Sequence, residues 1–277
     1  DATIQFTAGA SKDSNAVVHQ HQAVVQQYET SQSVLDLKPE DVYWYSIGPG
    51  CVAEVAYGII GPWTNGVTQL AIEGSWNANR CYELLSKHRV TVWVTTPTAL
   101  NELMETDPES IPNPNMTDLR HVFSTGTHLQ AETIQWGLQA LGSPVRNCYI
   151  ETESGAFMCA NYPGIEVRVG SIGKPTTGIE LAVLDHSYER LEVGMEGYLA
   201  IRPGWPSMFV RYWDNDDLYK DHFRRGWYLT GDRAKVDEDG YFWMINPVEP
   251  QAKSSEKDNL CCDTRSGEQV RPYDQNL

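Results

Sequence analysis

Short runs of β-branched and aromatic residues alternate with longer segments of helical period along residues 1–150 of the 277-residue chain. Parallel β-strands joined by helical crossovers give this alternation. We therefore expect an α/β fold in which a mostly parallel sheet is layered with helices. The predicted strands are 4–7, 42–47, 67–72, 91–95, 121–124 and 145–149, and the predicted helices are 19–37, 77–88, 97–105 and 131–141.

The pattern changes after residue 150, where glycine and proline become frequent and short alternating runs indicate antiparallel strands. These runs are 167–169, 178–184, 197–201, 226–229 and 240–245. We expect an α/β subdomain over residues 1–150, followed by a smaller antiparallel β-rich subdomain over 151–245. Residues 246–277 are polar and contain few large apolar side chains, so we expect a flexible tail.

The charge balance limits the classes of partner. The chain carries 37 acidic and 21 basic side chains, a formal net charge of −16, so we expect neither nucleic acid nor an anionic membrane surface as a partner. No apolar run approaches the ~20 residues of a membrane helix, and the opening residues lack the order of a secretory signal. A cytoplasmic protein is the expectation. The six cysteines show no CxxC spacing, which favours free thiols over zinc ligands or disulfides.

The loop at residues 7–16, with the sequence TAGASKDSNA, is rich in small and hydroxyl side chains. It lies between a predicted strand and a predicted helix, where backbone N–H groups can surround a phosphate. An ordinary turn is the alternative. The chain has no GxxxxGKS or GxxxxGKT pattern, so a P-loop nucleotide-binding protein is not indicated.

Two carboxylates and two hydroxyls directly follow the predicted strand that ends at residue 149. They belong to Glu151, Thr152, Glu153 and Ser154. Ligands of open α/β sheets bind at the carboxyl ends of strands, where a carboxylate can hold a divalent cation and a hydroxyl can bond a phosphate oxygen. A solvated loop with capping hydroxyls is the alternative reading of this segment.

A third candidate is Asp232, which lies in a tight Gly-Asp turn between aromatic strands. A carboxylate in this position can accept hydrogen bonds from both hydroxyls of a ribose. A structural aspartate in a turn is the alternative. The seven histidines form no Ser/His/Asp order, so a hydrolase triad is not indicated.

Seven collinear segments resemble the AMP-forming acetyl-CoA synthetases, and the resemblance extends over residues 1–245. The segments are DVYW at 41–44, YGIIGPW at 57–63, LRHV at 119–122, GSIGKP at 170–175, RPGWPSM at 202–208, GWYLTGD at 226–232 and DEDGYFW at 237–243. The resemblance implies a two-step reaction. A carboxylic acid and ATP give an acyl-adenylate and pyrophosphate, and the thiol of CoA then displaces AMP, with Mg2+ as the cofactor.

The resemblance also implies roles for individual residues. Thr152 is similar to the phosphate-contacting threonine of the family, Glu153 to its magnesium ligand and Asp232 to its ribose-binding aspartate, and we take Thr152 and Glu153 as the catalytic pair. Further implied ATP- or AMP-binding residues are Thr7, Gly9, Ser11 and Lys12 in the first loop, Gly126, Thr127 and His128 against one face of adenine, and Asn147, Cys148 and Tyr149 on its other face.

The implied acyl pocket is lined by Val52, Ala53, Thr125 and Ile150. Acetate-specific members of the family carry a tryptophan at the position of Ile150. Because isoleucine is much smaller than an indole, the pocket should admit short-chain acids longer than acetate.

The first loop departs from the TSGSTGKPKG of the family, and Asp13 stands where a lysine is expected. A unit charge ~4 Å from a phosphate, at an effective dielectric of ~20, is worth roughly 4 kcal/mol, so this exchange weakens phosphate binding. Lys12 offers partial compensation. The resemblance ends just before the hinge and the small carboxyl-terminal domain of the family, which supplies the adenylation lysine.

Two hypotheses follow from these observations. The first is an acyl-CoA synthetase for a short-chain acid, incomplete in this chain and associated with the missing domains or with a partner chain. The second is a degenerate domain that binds a nucleotide or a partner without catalysis. The altered first loop favours the second hypothesis, whereas the intact Thr152-Glu153 and Thr230-Gly231-Asp232 segments favour the first.

Overall fold

The computed structural model of this chain describes residues 1–7, 14–48, 50–74, 77–106, 115–127 and 129–245. Predictions that concern Gly9, Ser11, Lys12, Asp13, His128 and the 246–277 tail lie outside the described residues.

A mixed seven-stranded sheet forms the centre of the fold, with the strand order β4-β3-β5-β6-β7-β8-β9. The pairs among β3 to β7 are parallel, whereas β8 and β9 add antiparallel strands at one edge. The predicted parallel layer is therefore confirmed. The strands are β3 Val42–Tyr45, β4 Thr68–Leu70, β5 Val92–Thr95, β6 His121–Ser124, β7 Val145–Tyr149, β8 Cys159–Ala160 and β9 Lys174–Pro175.

Successive side chains of a strand point to opposite faces of a sheet, and in this sheet both faces are buried. On one face, Trp93 and Val122 pack with residues of the neighbouring helices. On the other face, Val94, Phe123 and Cys148 pack in a second cluster. The helices are α1 Ala23–Ser33, α2 Gly61–Asn65, α3 Ala78–Lys87, α4 Pro97–Met104, α5 Ala131–Ala140 and α6 Asp216–Asp221.

The starts of α3 and α4 follow directly from their sequences. The side chain of Asn77 accepts a hydrogen bond from Arg80 N, and the side chain of Thr96 accepts one from Ala99 N. Such side chains satisfy N–H groups that the first turn of a helix leaves free, and Pro97 suits the first helical position. Among the helices that the structure describes, none has the length and apolar character needed to cross a membrane.

A small antiparallel sheet with the order β1-β2-β12 corrects two predictions. Its strands are β1 Thr3–Phe6, β2 Ala16–His19 and β12 Arg211–Tyr212. The first predicted strand thus pairs here and not in the parallel sheet. The predicted 19–37 helix is too long, because the chain remains extended to residue 19 and α1 begins only at Ala23. The two β-branched residues Val17 and Val18 are fully buried between the flanking strands, which favours an extended backbone.

An antiparallel β-rich unit is confirmed by a sheet with the order β10-β11-β14-β13, to which β15 adds by pairing with β14, while the subdomain boundary at residue 150 stays a prediction. The predicted 167–169 strand is wrong, since these residues have no strand partner. Arg168 instead binds Asp237 and Asp239 through its guanidinium and lies over the ring of Tyr241. The strands are β10 Leu181–Leu184, β11 Gly197–Ile201, β13 Phe223–Arg224, β14 Trp227–Val236 and β15 Phe242–Met244.

A π-helix over Glu54–Ile60 precedes α2 and was not predicted. Its Tyr57 ring stacks on Phe157 with the ring centroids 3.8 Å apart, and the Tyr57 hydroxyl accepts a hydrogen bond of 2.6 Å from Phe157 N. Gly61 lets this segment approach α1 closely, because a Cβ there would lie 2.3 Å from Ser31 Oγ. The π-helix is thereby fixed against both α1 and the chain that follows β7.

Candidate nucleotide and acyl site

The end of β7 meets Asp232 of the antiparallel sheet. Tyr149, the last residue of β7, donates a hydrogen bond of 2.7 Å from its hydroxyl to Asp232 Oδ2. Burial, followed by the charges of Glu151 and Asp232, raises the pKa of Tyr149, so the hydroxyl keeps the proton that it donates. Asp232 N in turn donates to Thr230 Oγ1, which fixes the turn of the aspartate. The contact brings together segments that are 83 residues apart in sequence.

Glu153 is almost completely buried, and its carboxylate is fixed at one oxygen. The hydroxyl of Tyr212 donates a hydrogen bond of 2.6 Å to Glu153 Oε1. The backbone oxygen of Glu153 accepts a hydrogen bond of 3.0 Å from Phe209 N. The described residues form no hydrogen bond to Oε2. Glu153 therefore retains one carboxylate oxygen for a ligand.

The backbone around Thr152 is held by residues from two other segments. The buried ring of His19 reaches two carbonyl oxygens, with Nε2 at 2.8 Å from Thr152 O and Nδ1 at 3.0 Å from Ser207 O. The carbonyl of Ser154, two residues after Thr152, accepts hydrogen bonds from Trp205 Nε1 and Ser207 Oγ. These bonds fix this part of the chain, and its assignment to a ligand site stays a prediction.

Glu151 lies in the same region with a buried carboxylate oxygen. Burial raises the pKa of Glu151 well above its ordinary value, and the charges of Glu153 and Asp232 add to this effect. The nearby Tyr228 acts in the opposite direction, yet neither its hydroxyl nor Glu151 Oε1 meets a partner in hydrogen-bonding geometry. Three carboxyl groups thus share one region, and the charged form of Glu151 is disfavoured there.

Replacing Glu151 with glutamine is expected to raise the melting temperature at pH 8 and to change it less at pH 5. A carboxyl whose folded pKa exceeds its unfolded value of about 4.3 contributes stability that is complete below the unfolded pKa and is lost as pH rises through the folded pKa. Glutamine removes this loss. Thermal unfolding of Glu151→Gln at both pH values tests the prediction. The exposed Glu166→Gln variant is the control, and a pH-independent difference for Glu151→Gln would contradict it.

The four residues of the predicted acyl pocket lie at the ends of neighbouring elements. Val52 and Ala53 immediately precede the π-helix and are buried, as is Thr125 directly after β6. Ile150 follows β7 and packs against the cluster that contains Tyr57 and Phe123. The hydroxyl oxygen of Thr125 is buried without a hydrogen-bond partner. The assignment of these residues to an acyl pocket stays a prediction.

The described residues of the predicted adenine site lie on β7 or just after the adjacent parallel strand β6. Gly126, just after β6, has a φ of 108°, a backbone conformation that favours glycine, and Thr127 is exposed beside it. On β7, Asn147 and Cys148 are buried. Burial raises the pKa of the Cys148 thiol, which packs with Phe123 in the core. Cys148 can therefore contribute to a nucleotide site through its backbone rather than its thiol.

The first loop departs from its predicted context. It connects the antiparallel strands β1 and β2, so the helix that was expected directly after it is absent, and the argument from a helix N-terminus fails. Thr7 N donates to Asn15 O, and Asn15 N donates to Thr7 Oγ1. These bonds join the two ends of the loop across residues 8–13. The predicted role of Thr7 in phosphate binding stays a prediction.

Two side chains that hold the site together were not predicted. They are His19 and Tyr212. The available signals were weak, since a histidine at the end of a β-branched run and a tyrosine in an aromatic segment are ordinary core residues. Only the tertiary contacts reveal that both bind the Thr152-Glu153 segment.

The strands of a mostly parallel sheet end next to an aspartate that belongs to an antiparallel sheet. This arrangement agrees with the comparison to protein families. The model of the AMP-binding enzyme family matches residues 1–213, and the chain belongs to this family. By family, it is related to AMP-forming acid–thiol ligases. The resemblance noted in the sequence is thereby confirmed.

The chain is similar to individual members of this family. It is 37% identical to the acetyl-coenzyme A synthetase of Bacillus subtilis (strain 168) over 272 residues, which are 98% of this chain and 46% of that protein. It is 33% identical to the acetyl-coenzyme A synthetase of Saccharophagus degradans, covering 89% of this chain and 40% of that protein. The structure of the Brucella canis acyl-CoA synthetase superposes with a TM-score of 0.80 at 28% identity, covering 89% of this chain and 45% of that one. The chain thus spans less than half the length of these relatives.

Proposed function

We propose that this chain binds ATP and a short-chain carboxylic acid and takes part in forming an acyl-adenylate, which is then transferred to CoA. The observation that carries the proposal is the hydrogen bond between Tyr149 and Asp232, which brings the candidate ribose-binding carboxylate to the strand end that leads into Thr152 and Glu153. Three groups suited to ribose, phosphate and a cation are thereby connected to one sheet edge.

In the proposed reaction, a carboxylate oxygen of the acid attacks the α-phosphorus of ATP, and the bond to pyrophosphate breaks. Asp232 accepts the ribose hydroxyls, and the hydroxyl of Thr152 binds a phosphate oxygen. Gly126 and the β7 backbone flank the adenine. The thiol of CoA then attacks the acyl carbonyl carbon, and AMP leaves. Val52, Ala53, Thr125 and Ile150 enclose the acyl chain, with room for acids longer than acetate.

The donor set at Glu153 fits Mg2+, because one buried carboxylate retains an oxygen without a hydrogen bond. Among the described residues, no three His, Cys, Asp or Glu side chains are grouped to hold a metal ion. Magnesium commonly uses one or two carboxylates and completes its octahedron with phosphate oxygens and water. When bound, Mg2+ would neutralise charge on the triphosphate, and Glu153 would hold it.

We further propose that the protein acts in the cytoplasm and that it acts together with additional protein parts. Cys51, Cys81, Cys148 and Cys159 are free thiols, which suits a reducing compartment. The chain spans less than half of its relatives, and we propose that further domains or a partner chain complete the catalytic machinery.

With the proposed additional domains or partner chain present, the expected result of an acid-dependent exchange assay is label transfer from pyrophosphate into ATP, with more exchange for butyrate than for acetate. Exchange requires only the adenylation step. Glu153→Gln is the control, and it should bring exchange to background because the cation loses its carboxylate. ATP binding without exchange for either acid would contradict catalysis by this chain and would support the second candidate, a non-catalytic nucleotide-binding domain. The altered first loop, with Asp13 in place of a lysine, is the observation that favours that candidate.

A further inference from the structure

A chain of hydrogen bonds connects Glu153 to the strand that carries Asp232. It starts at Glu153 Oε1, which accepts from the hydroxyl of Tyr212 at 2.6 Å. The same hydroxyl lies 3.1 Å from Nε2 of His222. His222 is in turn bound to Leu229 of β14, whose N–H donates to His222 O at 2.7 Å and whose carbonyl oxygen lies 2.9 Å from Nδ1 of His222. Leu229 precedes Asp232 by three residues on β14.

The direction of the first bond follows from the number of protons. Tyr212 has one hydroxyl proton, and an ionised carboxylate can only accept. Tyr212 therefore donates to Glu153, and Nε2 of His222 lies 3.1 Å from the same hydroxyl oxygen. Hydrogen bonds to an ionised acceptor are short and strong, in agreement with the 2.6 Å separation.

The packing of Tyr212 leaves its hydroxyl little freedom. The residue is buried in strand β12, which pairs with β2, and its ring lies edge-on to Phe209 at 5.1 Å. Phe209 N also donates to the backbone oxygen of Glu153. Residues 209–212 therefore hold Glu153 at two points, at its backbone oxygen and at its carboxylate.

We infer that Tyr212 is a positioning residue that occupies Glu153 Oε1 and so presents Oε2 alone to the cation of a metal–nucleotide complex. The inference rests on the proposed function. Fixing one oxygen makes Glu153 a monodentate ligand with a defined orientation, which suits a small cation with strict octahedral geometry. Partners that orient a metal ligand typically change metal affinity by about 10–100-fold when they are removed.

The test compares Tyr212→Phe with Tyr219→Phe, using the 277-residue chain. Tyr219 is a matched control, since its ring lies edge-on to the same Phe209 at 5.0 Å and forms no hydrogen bond to Glu153. Calorimetry measures the binding of ATP with Mg2+ and the binding of AMP in EDTA. We expect Tyr212→Phe to weaken Mg-ATP binding by about 10–100-fold and to leave AMP binding within about twofold of wild type. Tyr219→Phe should change neither.

Each of the other outcomes would overturn the role of Tyr212 or the proposed function. Equal losses for Mg-ATP and for AMP would mean that Tyr212 has a general structural role, and an unchanged Mg-ATP affinity would mean that it does not orient the ligand; both results overturn the inference alone. If wild type binds neither nucleotide, the proposed function fails together with it. If Tyr212→Phe unfolds, His222→Leu provides the second variant. It removes the ring that contacts the Tyr212 hydroxyl and should give a smaller loss that is again restricted to Mg-ATP.

Discussion

Replacing Arg120 with methionine is expected to lower the free energy of unfolding by about 3–5 kcal/mol, because the variant leaves a buried carboxylate without its cation. The Arg120 guanidinium binds both carboxylate oxygens of Asp41, through Nε at 3.1 Å and Nη2 at 2.6 Å. It also binds Asp36, through Nη1 at 2.5 Å. Asp41 is only 2% exposed and additionally accepts from Thr91 Oγ1, so the loss affects the connection between β3, β5 and β6.

Urea denaturation at pH 7 measures this loss, and Arg89→Met is its matched control. Arg89 makes a similar two-point contact with Asp118, but at the surface, where an ion pair contributes little.

Burial would raise the pKa of Asp41, but hydrogen bonds from Arg120 and Thr91 outweigh burial and keep the pKa below its usual value. Such a group stabilises the fold above the unfolded pKa of about 3.9, and the stability is lost as pH falls through the folded pKa. A difference between wild type and Arg120→Met that persists unchanged into strong acid would show that the ion pair is not its source.

Replacing Asp232 with alanine is expected to weaken ATP binding by at least about 100-fold, since two charge-assisted hydrogen bonds to ribose are lost and each contributes about 1.5–3 kcal/mol. The carboxylate is oriented before any ligand binds, through the hydroxyl of Tyr149 at 2.7 Å and through the Thr230 hydroxyl that accepts from the backbone of Asp232. Calorimetry with ATP and with 2′,3′-dideoxy-ATP provides the measurement. The dideoxy analogue should bind wild type and variant with nearly equal affinity.

Asp217→Ala is the control for this experiment. Asp217 lies in α6, its side chain is 94% exposed, and among the described residues it pairs only with Lys220, so its loss should leave ATP binding unchanged. Equal weakening of ATP and of the dideoxy analogue by Asp232→Ala would exclude ribose recognition and would indicate a general distortion of the β14 turn.

Much of the parallel sheet was predictable, because local sequence and tertiary position agree there. His121–Ser124 and Val145–Tyr149 are the predicted strands, and the Asn77 cap and the Pro97 start define α3 and α4 within one residue. Two of the predicted ligand-binding segments, Gly126-Thr127 after β6 and Thr152-Glu153 after β7, also fall where parallel strands end, which is where ligands of open sheets bind. The seven collinear segments predicted the family, and the family comparison confirms it.

The rest depended on contacts between residues distant in sequence. Val17 and Val18 fit a helix or a strand by period, and only pairing with β1 and β12 selects the strand. The π-helix has no local signal of its own, because its wider turns are stabilised by the stacking of Tyr57 on Phe157. The restraint of Glu153 by Tyr212 likewise joins residues 59 positions apart.

The bond between Tyr149 and Asp232 affects the entropy of ligand binding. A surface aspartate samples several rotamers, and a ligand that selects one of them loses affinity through that ordering. Here the Asp232 side chain is already restrained at Oδ2, while the described residues form no hydrogen bond to Oδ1. A sugar hydroxyl that binds Oδ1 therefore meets a preorganised acceptor, and the ordering of this side chain belongs to the folding of the chain rather than to the arrival of the nucleotide.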